Sequence, residues 1–143
     1  MSAFAKVKTQ YKSRDALVAA LCRMGWPREQ IEVHDKAQHL YGHMSDRRSQ
    51  KAEVIIRRQH VAAASNDVGF EQQSDGTWSA HISDYDRSKE YGLNGRFGGK
   101  FQEKLKHSYD IEVTKELLDA EGWEYEEEVD EETGDVVFEA TRW

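Results

Sequence analysis

Apolar and polar residues alternate through Phe4-Ala5-Lys6-Val7-Lys8-Thr9-Gln10-Tyr11, the pattern of a half-buried strand. The spacing then turns helical over Ala16, Leu17, Ala20, Leu21 and Met24. Ser13 is placed to cap that helix, and Asp15 sits in the first turn, where the helix dipole favours an anion. Gly25 ends it, and Pro27, the only proline, prevents its resumption. Ile31-Glu32-Val33 opens a second strand that ends by Leu40 and Tyr41 near Gly42, and polar residues 43–50 read as a loop. Residues 53–58 form a third strand with an apolar centre. Asp67–Glu71 and Thr77–Ile82 flank Ser74-Asp75-Gly76, which predicts a hairpin.

A Gly- and Tyr-rich connection follows from Asp84 to Gly99. Phe101, Leu105, Tyr109, Val113, Leu117 and Leu118 then mark one long helix, or two meeting near residues 108–110. Residues 125–129 and 136–140, joined at Thr133-Gly134, predict a last hairpin. The order is β-α-β-β-β-β-α-β-β. Short turns between strands imply an α+β fold: an antiparallel sheet of six to seven strands with two main helices on one face. Two stretches repeat a theme, since residues 16–33 and 112–129 each run helix, Gly-Trp, strand. Each glycine suits a left-handed helix end, and each tryptophan is expected to anchor the next strand in one shared core.

The chain has 143 residues, a length that predicts a single domain over 1–143, able to bury a core without metal or disulfide support. The lone Cys22 falls on the apolar face of the first helix and reads as a thiol in a reducing compartment. No apolar run approaches the roughly 20 residues needed to span a bilayer, and the start lacks the apolar stretch of a signal peptide. These features predict a cytoplasmic protein with no membrane association. Charge is divided along the chain. Residues 1–66 hold twelve Lys and Arg against six Asp and Glu, and residues 67–143 hold eight against twenty-one. Two oppositely charged faces would imply a charged partner, whereas halves that intermix in space would cancel.

Several ordered segments resemble the hypothetical chloroplast reading frame thirty-five family, whose members are small proteins of cyanobacteria, plastids, other bacteria and some phages. They are the opening Ser2-Ala3-Phe4-Ala5-Lys6-Val7-Lys8-Thr9, then Asp67-Val68-Gly69-Phe70 with Asp75-Gly76-Thr77-Trp78, Ile82-Ser83-Asp84-Tyr85-Asp86, and the closing Thr141-Arg142-Trp143. Ala3 stands where a histidine is common in that family, and the acidic run before the last strand departs from its pattern. The resemblance implies no established activity and supplies no catalytic residues.

Candidate chemistry is sparse. His34, His39 and His43, with Asp35 and Asp46 nearby, fall on a strand end and a loop, where a four-residue spacing does not converge two rings on a metal. No metal or cofactor is expected. Asp84 and Asp86 are two apart, so on an extended backbone both carboxylates face one side, as an acid/base pair, a cation site or a partner for Arg87. A turn is the plain alternative. No nucleophile or cofactor motif stands beside them, so catalysis is not the expected role. Residues 92–100 place glycines and Lys100 before a helix, as an anion cradle or simply a turned connection.

Three readings follow. The first is a non-enzymatic protein-interaction module with a charge-polarised surface. Its candidate contacts are Asp84, Tyr85, Asp86, Arg87, Tyr91, Glu126, Glu128, Asp130 and Trp143. The second is a nucleic-acid-binding module, with Arg47, Arg48, Lys51, Arg57, Arg58, Arg96 and Lys100 as candidate anion contacts. Its variant is a nucleic-acid mimic built on the acidic hairpin, of the kind a phage would direct against a nucleic-acid enzyme. The third is a small enzyme with an Asp/His site.

Overall fold

The structure is a computed structural model that describes residues 4–62, 64–87 and 100–141. Its elements are β1 (Phe4–Lys8), α1 (Arg14–Arg23), a 3₁₀ turn (Arg28–Gln30), β2 (Ile31–Tyr41), β3 (Arg47–Ile56), α2 (Arg58–Val61), β4 (Val68–Gln72), β5 (Trp78–Ser83), α3 (Asp84–Arg87), α4 (Phe101–Ala120), β6 (Glu124–Val129) and β7 (Val136–Thr141). The fold is α+β and antiparallel, as the sequence predicts. Five strands run in the order β1-β5-β4-β3-β2, and β6 and β7 form a separate two-stranded sheet. The hairpin does not extend the main sheet; its alternation puts Tyr125, Glu127, Val136 and Phe138 on one face and Glu126, Glu128 and Glu139 on the other. The first of these faces is half-buried towards the helices, and Glu126, Glu128 and Glu139 on the other are exposed.

One face of the five-stranded sheet is apolar. Val54, Ile56, Val68, Phe70, Trp78, Ala80 and Ile82 share a core with Leu17, Leu21 and Ala20 of α1 and with Phe101, Leu105 and Tyr109 of α4. Tyr109 also seats α1. Its hydroxyl accepts the N–H groups of Lys12 (2.9 Å) and Ser13 (3.0 Å), and its ring lies 4.2 Å from that of Tyr11. Ser13 caps α1, its hydroxyl accepting the N–H of Ala16 at 3.1 Å.

Both Gly-Trp pairs close helices in the same way. Gly25 (φ 117°) and Gly122 (φ 77°) take left-handed conformations. After each, the tryptophan N–H reaches back to a carbonyl five residues earlier, Trp26 to Leu21 (3.3 Å) and Trp123 to Leu118 (2.9 Å). This is the Schellman closure. The tryptophans then diverge. Trp26 is buried edge-on to Phe101, its indole N–H donating to His60 O at 2.8 Å. Trp123 stays half-buried beside Glu121 and joins no shared core, contrary to expectation.

The loop expected at 43–50 is a tight turn at 42–46, and β3 begins at Arg47. In β2, residues 34–37 oppose the single residue Glu53, so the strand bulges and the distal parts of β2 and β3 change direction. Leu40 and Ala52 consequently bury on the sheet's second face, against Ile55 and over Gly69.

Candidate functional site

The acidic hairpin is built with two unlike faces. Its inner face carries Tyr125 and Phe138, whose rings meet edge-on at 5.7 Å, and Glu127. Glu127 bonds Arg23 Nη1 of α1 and Lys115 Nζ of α4, both at 2.7 Å. Glu112 meets the same two cations at 3.1 and 3.6 Å. The bonds from Arg23 and then Lys115 hold the Glu127 carboxyl down to about 2. Glu127 is therefore a strut between hairpin and helices.

On the outer face, Glu126 lies directly opposite Glu139, and Glu128 opposite Val137. The carboxylates of Glu126, Glu128 and Glu139 come within 4.8 Å of one another, and all three residues are exposed. Among the described residues none of the three has a cationic partner. Asp130 is exposed at the tip, but one of its oxygens builds the turn by accepting the N–H groups of Glu132 (2.8 Å) and Thr133 (3.1 Å). Those bonds lower its pKa.

The Asp84–Arg87 corner is not the extended strand end that the spacing suggests. It is the single helical turn α3, so its two carboxylates diverge. Asp84 is exposed and pairs with Arg87 at 3.3 Å. Asp86 is 2 % exposed and accepts from Ser83 Oγ (2.8 Å) and Asn66 N (3.2 Å). Its own N–H returns to Ser83 Oγ at 3.1 Å. Ser83 and Asp86 thus form a capping-box-like pair, for which the Ser-x-x-Asp spacing was the available signal. Asp86 is not a surface contact. Tyr85 is half-buried and lines a cleft of about 450 Å³ with His43, Met44 and Arg48. Tyr91 and Trp143 lie outside the described residues.

The basic cluster does not form one anion-binding face either. Arg57 is a partly buried clasp. It bonds Glu32 through two nitrogens (2.8 and 3.0 Å), Asp67 Oδ2 (2.9 Å) and the His39 carbonyl (3.1 Å). Burial works against its charge, and Glu32 and Asp67 outweigh it, so its pKa is raised. Arg48 pairs with Asp46 and lies over the Phe4 ring, and Arg58 donates to Ser45 Oγ. Arg47 and Lys51 are exposed on β3, and Lys100 is exposed at the start of α4. Arg96 lies outside the described residues. The clasp exists because Asp67 is buried. Its carboxylate accepts the N–H groups of Tyr41 and Arg58, both at 2.7 Å, and needs a cation in the same low-dielectric setting. Asp67 and Asn66 were missed in the sequence, where only the polar run 65–67 ahead of a strand hints at them.

The histidines are dispersed. His34 Nε2 lies 2.8 Å from Glu32, His39 Nδ1 lies 2.7 Å from the Arg48 carbonyl, and His43 is exposed. Among the described residues, no helix is long and apolar enough to cross a membrane. No protein-family model matches the chain, and neither does any curated protein or solved structure.

Proposed function

We propose that the chain is a non-enzymatic protein-interaction module that docks a basic protein surface on the outer face of β6 and β7. The observation that carries this reading is the division of charge across the hairpin. Arg23 and Lys115 are both engaged on the inner face by Glu127, while Glu126, Glu128 and Glu139 converge on the outer face without a cation among the described residues. Like charges directly across a ladder lower stability, so the arrangement suits a partner that supplies the missing cations. Such a field steers association and sets which partners are rejected. The nucleic-acid reading has less support, because Arg48, Arg57 and Arg58 are already engaged within the fold.

The test compares the wild-type chain with the triple variant E126Q/E128Q/E139Q as baits in lysate of the source cells, at rising salt. The expected result is a specific protein with a basic surface, held at low salt, released as salt rises and absent from the variant. Recovery of the same proteins by both baits would overturn the proposal.

A further inference from the structure

β1 lies at one end of the five-stranded sheet, so one side of its backbone meets no strand among the described residues. In an antiparallel ladder every second residue of such a strand turns its N–H and C=O outward, as a template for another strand. The opposite edge is interrupted, because β2 carries its bulge at residues 34–37. β1 has no such break. It pairs with β5 in unshifted register from Phe4 to Lys8, and the contact continues to Tyr11, whose carbonyl accepts the Trp78 N–H at 2.9 Å.

The two sides of this edge differ. On the core side, Val7, Ala80 and Ile82 form one wall of a cleft of about 510 Å³, and Phe101, Leu105 and Tyr109 form the other. That volume falls within the roughly 300–1,000 Å³ of binding pockets. On the far side, Lys6 and Lys8 are exposed, and neither has a carboxylate partner among the described residues.

We infer that β1 accepts an extended peptide segment of another protein as an added strand, and that the segment alternates apolar with acidic residues. Side chains level with Ala5 and Val7 point into the cleft and are apolar. Side chains level with Lys6 and Lys8 point to the far side and supply carboxylates. Glu103 and Asp110 lie on the α4 wall of the cleft, away from the acidic positions, and Asp110 is already bonded to Lys106 at 2.7 Å. A second copy of β1 is a poor occupant, since matching its apolar face would set lysines against lysines. The surface is separate from the outer face of the hairpin and takes a partner of the opposite charge.

The test follows the backbone amides of β1 in the ¹⁵N-labelled full chain. The probes are a short capped peptide alternating valine and glutamate, its lysine counterpart, the glutamate peptide with every backbone nitrogen methylated, and decanoate. The glutamate peptide should shift the β1 amides saturably and slow their exchange with solvent, binding there about tenfold or more tighter than the lysine peptide. Methylation should abolish the shift. K6E/K8E changes exposed residues only and should reverse the preference between the two peptides. Any lysine peptide held by the hairpin moves hairpin amides and is read apart from β1. β1 amides that no peptide moves would overturn the inference. So would equal binding of the glutamate, lysine and methylated peptides, or a cleft that decanoate fills and the glutamate peptide does not.

Discussion

Asp67→Asn is the sharpest perturbation of the clasp on the second face of the sheet. In the wild type Oδ1 accepts the Arg58 N–H, while Oδ2 accepts the Tyr41 N–H and Arg57 Nη1. Asparagine keeps the shape but replaces one oxygen with an NH₂ group. If its oxygen takes the Oδ2 place, the Arg58 N–H faces another donor. If it takes the Oδ1 place, both Tyr41 and Arg57 do. At least one buried donor therefore goes unmet, at about 1–3 kcal/mol. Arg57 also loses a charged partner and keeps only Glu32, and breaking a buried pair from one side costs about 3–5 kcal/mol in total. For a chain of 143 residues, at about 4 °C per kcal/mol, the melting temperature should fall by roughly 12–20 °C. Thermal unfolding followed by circular dichroism measures it, with R57M and the double variant completing a cycle. The two changes should be strongly non-additive, with a coupling of about 1–3 kcal/mol. A loss under about 1 kcal/mol for D67N, or simple additivity with R57M, would refute the argument that this carboxylate and guanidinium hold the bent arms of β2 and β3.

Gly69→Ala should cost about 1–3 kcal/mol by overpacking, because its Cβ would meet Ala52 Cβ at 2.7 Å and Leu40 Cδ2 at 2.8 Å. Gly76→Ala has open space around it and should cost only the roughly 1–2 kcal/mol of a left-handed residue at φ +86°; chemical denaturation ranks the two. Glu127 has a folded-state pKa of about 2, below its ordinary 4.5, so its contribution is fully present above about 4.5 and fades as pH falls towards 2. Stability measured across that window should fall less steeply with acid in E127Q than in the wild type. Glu139→Lys replaces a like-charge pair with Glu126 by an opposite one and should stabilise the hairpin by about 0.2–1 kcal/mol while abolishing partner binding, as read by melting and by pull-down together.

Local signals in the sequence fixed elements well where the cause was itself local. Ser13 predicted a cap, Gly25 and Gly122 predicted left-handed helix ends, and the Asp75-Gly76 turn predicted its hairpin, because each depends on bonds within a few residues. The failures involve partners distant along the chain. Glu127 reads as one more charge in an acidic run until α1 and α4 bring Arg23 and Lys115 to it. Arg57 reads as part of a basic patch until the β2–β3 register and the connection into β4 bring Glu32 and buried Asp67 to it. Strand periodicity places Asp86 at the surface beside Asp84, but β5 ends at Ser83 and the helical turn that follows buries it. In each case the sequence shows a charge whose partner is distant along the chain, and tertiary folding supplies it.

The hairpin's attachment also separates two roles that charge alone would confuse. A two-stranded sheet is marginal by itself, so β6 and β7 depend on what their inner face meets. That face meets Arg23 and Lys115 through Glu127, on the side away from Glu126, Glu128 and Glu139. A basic partner on the outer face would therefore not compete for the cations that tether the hairpin. Removing Glu127 should loosen the tether while the outer carboxylates remain. Neutralising the outer three should remove docking and leave the tether in place. A generic dependence on negative charge would make the two changes equivalent. The division of faces requires opposite patterns: E127Q without the Glu127 loss of stability towards pH 2 but with partner capture retained at neutral pH, and the outer-face variant with that loss retained but capture gone.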